Sequence, residues 1–152
     1  STHQVRLSAA DEQIWPRIRE LLAAERFRPP RTRDLAQALS LSEPVTRAIL
    51  KRLQRVGAVQ EVAPDHFFLR ETMAEMVAIA VAVAREDTQH VVTAAAFRDR
   101  LDNGRKVAIQ ILEFFDRVGL TVRTGDTRQV RADRLAMFGP TETGDTADPA
   151  RE

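Results

Sequence analysis

Two stretches of this sequence, LAQALSLSEPVTRAILKRLQRVG (residues 35–57) and FRDRLDNGRKVAIQILEFFDRVG (residues 97–119), align with each other without a gap. Apolar residues coincide along both stretches, and both end in Arg-Val-Gly. The match extends upstream at the same offset, where Ile14 meets Met76. A repeat at one constant spacing indicates two copies of one structural unit of about 65 residues.

Each copy contains the same predicted order of three helices. The apolar spacing places them at residues 9–25, 33–39 and 43–56 in the first copy, and at 71–86, 93–101 and 105–118 in the second. Ser8 can cap the first helix, and Gly57 and Gly119 can end the third helix of each copy. Proline is tolerated only near the first turn of a helix, so Pro16 predicts that the first helix begins late or kinks.

Two short strands follow the third helix in each copy. Pro64-Asp65 and Gly125-Asp126 form the turns, and the second fits a two-residue hairpin. A helix, a helix-turn-helix and a hairpin together make a winged helix. We therefore predict an α+β fold, mostly helical with small β-hairpin wings, in two tandem winged-helix domains at residues 8–70 and 71–140 with a rigid junction. The acidic residues 141–152 are predicted to be a disordered tail.

Composition narrows the classes of function. The chain has 152 residues, 43% hydrophobic and 30% charged, and no cysteine, which excludes disulfides and thiolate zinc sites. The motifs of nucleotide hydrolases, serine hydrolases and zinc hydrolases do not occur, so we predict neither an enzyme nor a metal or cofactor site. The apolar run Met73–Ala84 is too short for a bilayer and predicts a buried helix. We expect a cytoplasmic protein without membrane attachment, and a piece of a longer chain since it begins with Ser.

The third helix of the second copy has an unfavourable charge order. It begins with Arg105-Lys106, where the helix dipole already places partial positive charge, and acidic residues stand near its other end. The first copy has Glu43-Pro44 at the equivalent positions, which is favourable chemistry for a helix start. The two cations therefore either form a solvated surface pair or bind an anion from outside the helix.

The wing of the second copy contains a second unfavourable placement. With Gly125-Asp126 as the turn, Arg123 faces Arg128 directly across the strand pair. Like charges in that position are destabilising. Two such placements on the helix start and the adjacent wing of one small domain predict that a polyanion meets both.

Residues 97–131 resemble the last winged helix of bacterial selenocysteine-specific elongation factors. The preceding domain, residues 8–70, resembles that family's penultimate winged helix by pattern alone, so the resemblance covers about residues 8–138. The residues shared with that family's motif are Arg105-Lys106, Leu112-Glu113-Phe114-Phe115-Asp116-Arg117, Gly119, Thr121, Arg123, Gly125-Asp126 and Arg128. Many relatives have Ser or Thr before the Arg-Lys pair, where this chain has Gly104, so a hydroxyl contact is missing here.

The resemblance implies a role in translation. In that family a GTPase region similar to EF-Tu carries selenocysteinyl-tRNA, and a C-terminal array of winged helices follows it. The last winged helix grips an mRNA hairpin, the SECIS element, near the recoded UGA codon, which raises the factor's effective concentration there. GTP and Mg²⁺ would then belong only to the full-length factor, and ribosome and tRNA contacts to its other regions. We expect a monomer whose own partner is the mRNA stem-loop.

Charge and resemblance together select a set of RNA-binding residues in the second domain, and assign the first domain as a spacer. The set is Arg98, Asn103, Gly104, Arg105, Lys106, Thr121, Arg123, Gly125 and Arg128. A helix start offers free N–H groups to phosphates, and specific RNA readers use unstacked loop bases.

A winged-helix regulator on duplex DNA is the first alternative function, although only Gln110 could read base edges after the cations. A protein-interaction module is the second.

Overall fold

The first winged-helix unit ends where the second begins, with no linker residue between them. In the computed structural model, which describes residues 6–139, the first unit comprises α1 (Ala9–Ala24), α2 (Thr32–Leu39), α3 (Glu43–Arg55), β1 (Val59–Ala63) and β2 (His66–Leu69). The second comprises α4 (Arg70–Glu86), β3 (Val92–Thr93), α5 (Ala94–Leu101), α6 (Arg105–Arg117), β4 (Thr121–Thr124) and β5 (Thr127–Val130). This confirms the predicted fold of tandem winged helices with small wings. The predicted tail, residues 141–152, lies outside the described residues.

Local sequence signals set most helix ends. The Ser8 side chain accepts a hydrogen bond from the Asp11 backbone N–H at 3.1 Å, so α1 begins at Ala9. Pro16 consequently lies inside α1, and the expected late start is wrong. Gly57 and Gly119 adopt φ angles of 83° and 81°, the left-handed conformation in which glycine commonly ends a helix.

The two wings differ by one strand. In the first unit β1 pairs with β2, antiparallel. In the second unit the order is β3-β5-β4, because Val92 pairs with Arg128 and Thr93 with Thr127. The sequence pattern missed β3, since two residues are too few to show an alternating pattern. The prediction also counted Thr93 in the short helix, whereas its side chain caps α5 by accepting from Ala96 N–H at 3.2 Å.

The apolar cores of the two units meet at the junction. Val62 and Phe68 of the first wing are fully buried among side chains of the second unit, including Met73 and Met76 of α4. This packing explains why α4 is apolar on most of its surface, as the sequence predicted for a buried helix. No helix within residues 6–139 has the length and hydropathy needed to cross a bilayer.

Polar contacts also cross the junction. Arg26 forms a two-pronged ion pair with Glu75 of α4 at 2.8 and 2.9 Å, and this hydrogen bonding holds the pKa of Glu75 below its ordinary value. The Arg117 guanidinium donates to the backbone carbonyl of Val62 at 2.8 Å. Together with the shared core, these contacts support a rigid arrangement of the two units.

Candidate nucleic-acid interface

The start of α6 exposes unsatisfied positive groups. Gly104 occupies the N-cap position in an extended conformation, and no side chain among residues 6–139 caps the helix. Arg105 and Lys106 are exposed, and neither forms a salt bridge with any residue between 6 and 139. The first backbone N–H groups of a helix have no partner within the helix, and the dipole adds partial positive charge there. The helix start is therefore a ready site for an anion.

The equivalent helix start in the first unit is satisfied internally. The Ser42 side chain accepts from the Val45 backbone N–H at 3.2 Å, and Glu43 provides an acid in the first turn of α3. The cations farther along α3 are paired with the unit's own wing, Arg47 with Asp65 at 2.7 Å and Lys51 with Glu61 at 2.6 Å. The hydrogen bond from Arg47 lowers the pKa of Asp65, which keeps that partner ionised.

The second wing presents Arg123 on its surface, opposite the strand residue that contacts the last turn of α6. The strand register is the predicted one, with Arg123 opposite Arg128 and Thr124 opposite Thr127. Arg123 is exposed, and its Nε donates to the backbone carbonyl of Gly125 at 2.7 Å. Gly125 has a φ of 61°, as the tight turn requires, and no atom of the described part of the chain lies within 4 Å of where its Cβ would be. The tip of this wing is thus open to a ligand.

Arg128 and Thr121 occupy different positions from those that the sequence predicted. Both residues are buried, with 4% and 3% of their surface exposed, beneath the wing rather than on its surface. Arg128 Nε lies 3.1 and 3.0 Å from the two carboxylate oxygens of Asp116, and the Thr121 hydroxyl donates to Asp116 at 2.6 Å. Asp116 therefore neutralises Arg128 and relieves the expected repulsion with Arg123. The exposed position expected for Arg128 is wrong, and its contact with RNA stays a prediction.

Asp116 also explains part of the reversed charge order of α6. The dipole disfavours an anion in the last turn of this helix, but Arg128 supplies the counter-charge. Sequence reasoning did not find this pair. The available signal was the facing arginines themselves, because two like charges across a strand pair call for a counter-ion.

Two further predicted residues lie at the sides of the helix start. Arg98 of α5 is half-buried and donates to its neighbour Asp99 at 3.1 and 3.3 Å. The Asn103 amide nitrogen donates to the backbone carbonyl of Phe27 at 2.9 Å, which links the α5–α6 turn to the first unit. The Asn103 amide oxygen is buried and has no hydrogen-bond partner among residues 6–139.

The first wing lies along the later part of α6. A cleft between them is lined by residues 61–64 of the first wing and by Gln110, Glu113 and Arg117 of α6. A duplex whose major groove received the whole outer face of α6 would meet this wing. At the first half of the helix, Arg105 and Lys106 are exposed and Ile109 is partly exposed, away from the first wing.

The fold and these exposed cations define a tandem winged-helix protein with a candidate nucleic-acid interface at one helix start and one wing. A family model described as "Elongation factor SelB, winged helix" matches residues 83–130. The chain belongs to the SelB family of selenocysteine-specific elongation factors, which confirms the resemblance found in its sequence.

Individual relatives agree with this family. The chain is similar to the selenocysteine-specific elongation factor of Escherichia coli (strain K12), with 34% identity over 130 residues, which is 85% of this chain and 20% of that protein. The Haemophilus influenzae factor is 26% identical over 129 residues, again 85% of this chain and 20% of that protein. The chain thus spans about a fifth of the length of these curated relatives.

A solved structure covers nearly the same region. It is described as the mRNA-binding domain of elongation factor SelB from E. coli in complex with SECIS RNA. The similarity has a TM-score of 0.73 and 32% identity, and it covers 82% of this chain and 99% of the E. coli chain.

Proposed function

We propose that this chain binds an mRNA hairpin of the SECIS class at the start of α6 and the adjacent wing. The observation that carries the proposal is the contrast between the two helix starts. In the second unit Arg105 and Lys106 stand unpaired, within the described residues, on an uncapped helix, whereas the first unit caps and neutralises the same position. The E. coli domain described in complex with SECIS RNA supports the choice of ligand.

A phosphate at the α6 start would satisfy each of these groups. It would accept from the free backbone N–H groups, align with the helix dipole, and pair with Arg105 and Lys106. Gly104 lacks a side chain and has open space where a Cβ would stand, so the backbone of a nucleic acid can approach closely. Arg123 and the Gly125 turn would contact the same RNA from the wing.

A hairpin loop fits this surface better than a duplex. The first wing occupies the space beside the later half of α6, whereas Arg105 and Lys106 at the helix start are exposed. The RNA duplex hides base edges in its deep major groove, so specific RNA readers use exposed loop bases. Thr121 and Arg128 hold the second wing against the last turn of α6 through Asp116, which fixes the position of the exposed Arg123 relative to this helix.

The cellular role follows from the family. We assign this chain to the tethering portion of a selenocysteine-specific elongation factor, which holds the factor near a recoded UGA codon. Tethering raises the local concentration of the delivered tRNA without any new contact at the codon. GTP hydrolysis, Mg²⁺, selenocysteinyl-tRNA and the principal ribosome contacts would belong to other regions of that factor. Within this chain we propose a non-catalytic, monomeric, cytoplasmic RNA-binding module.

The proposal is tested by selecting RNA hairpins from a library with a constant stem and a randomised loop. The full chain should enrich a small set of loops, and the tightest of these hairpins should bind far better than a DNA duplex of matching length. Arg105→Ala should weaken that binding by roughly ten- to a hundredfold, because a charge-assisted hydrogen bond is lost. Arg47→Ala on the first unit's third helix is the matched control and should bind normally. Failure to enrich any loop, or equal affinity for the DNA duplex, would overturn the proposal.

A further inference from the structure

The loop between α1 and α2 (residues 25–31, ERFRPPR) is rich in arginine. Arg26 is paired with Glu75. Arg28 and Arg31 of this loop, and Arg33 in the first turn of α2, make no salt bridge with residues 6–139. Arg28 and Arg33 are exposed. The first unit, in which cations of α3 are paired with its own wing, thus retains unpaired cations in this loop and in the first turn of α2.

The fold does not require these arginines. In the internal repeat, residues 25–31 align with residues 87–93 (DTQHVVT) of the second unit, where Arg28 is replaced by His90 and Arg31 by Thr93. The second unit connects its first two helices through residues 87–93, which include the short strand β3 and no arginine. The cations in the first unit therefore call for an explanation outside the winged-helix fold.

The loop is anchored beside the α6 start. The Phe27 carbonyl accepts from Asn103, two residues before Arg105, and Arg28 shares a cleft with Asp102 and Asn103. On its other side, His66 donates from Nε2 to the Pro29 carbonyl at 2.7 Å. Burial lowers the pKa of His66, so the imidazole is neutral at physiological pH. These anchors fix the backbone of Arg28 next to the proposed RNA site.

We propose that Arg28 contacts a phosphate in the stem of the RNA hairpin whose loop is held at the α6 start, a proposal that rests on the proposed function. Arg31 and Arg33 extend the positive potential along the same stem. Glu25 and Asp102 also line the cleft, so the phosphate lies over its rim at Arg28 rather than inside it. The first unit thereby contributes a backbone contact without sequence information, while the second unit reads the loop.

The test uses the full chain and the tightest hairpin from the loop selection, titrated at several salt concentrations. Arg28→Ala should weaken binding about three- to tenfold and reduce the slope of log affinity against log salt by roughly one, as for one lost phosphate contact. Arg28→Lys should keep most of the slope. Arg55→Ala, which removes an exposed arginine elsewhere in the first unit, is the matched control and should bind like the unaltered chain.

Shortening the stem separates the contact from a general effect of charge. If Arg28 meets the stem, its substitution should lose its effect on a hairpin cut to its loop-closing pairs. An Arg28→Ala chain that binds like the unaltered chain, or an equal loss in Arg55→Ala, would overturn the inference. If Arg105→Ala still weakens binding in that case, the proposed function stands and only the Arg28 contact is removed.

Discussion

Replacing Arg128 by Ala should destabilise the second unit as well as weaken RNA binding. In the structure Arg128 is 4% exposed, and its Nε lies within 3.1 Å of both carboxylate oxygens of Asp116. Removing the guanidinium leaves Asp116 with one side-chain partner among residues 6–139, the Thr121 hydroxyl. Because Arg128 joins β5 to the last turn of α6, its removal should weaken the packing of the wing against this helix.

The magnitude follows from the exposure of the pair. Deleting one member of a fully buried ion pair costs about 3–5 kcal/mol, whereas a hydrogen bond to a charged group contributes about 1.5–3 kcal/mol. The Asp116 side chain is 24% exposed, so water can solvate the carboxylate in part and the lower range applies. We therefore expect about 2 kcal/mol of lost stability, which corresponds to roughly 4–8 °C in Tm for a chain of this size.

The assay is urea unfolding of the full chain for Arg128→Ala, Asp116→Asn and the double variant. A direct interaction should give a coupling energy of about 1–2 kcal/mol in this double-mutant cycle. Arg128→Lys keeps a positive charge that can pair with Asp116. This variant should therefore recover part of the stability and part of the hairpin affinity that Arg128→Ala loses. If Arg128→Ala kept full stability yet bound the hairpin ten times more weakly, the guanidinium would be a direct RNA contact and the reasoning would be refuted.

Three other changes test the remaining parts of the site and the fold. Arg123→Ala should weaken hairpin binding and reduce its salt dependence while leaving Tm unchanged, because Asp116 already relieves the facing charges; a raised Tm would contradict that relief. Gly104→Ser should raise stability by a few tenths of a kcal/mol in a thermal melt, since the site is open and extended and the hydroxyl can cap α6; a lower Tm would show that the helix start is not free. The hydrogen bond from Arg52 holds the pKa of Asp11 below 3.8, so its contribution to stability is full above that pH and is lost as the pH falls through the folded value. Asp11→Asn should therefore lower stability at neutral pH and flatten the acid limb of a pH–stability curve below about pH 4.

Local sequence signals determined the element order, both wing turns and the unusual charge at the α6 start. These signals are the apolar periodicity, the Ser8 cap and the glycine after a helix. Each depends on residues close together in the chain, so each can be recognised from the sequence without a structure. Even the register of Arg123 against Arg128 followed from the two-residue turn alone, since turn length fixes strand pairing.

Tertiary structure decided which charged groups face solvent. Two arginines in register looked equivalent in the sequence, but only the fold brings Asp116 under the wing, where it buries Arg128 and leaves Arg123 exposed. The position of the first wing along α6 and the contact of Asn103 with Phe27 likewise join residues far apart in the chain. Contacts of this kind depend on how distant parts of the chain pack, and no local sequence pattern encodes them. The sequence therefore identified the cations of the interface, while the packing determined which of them a ligand can reach.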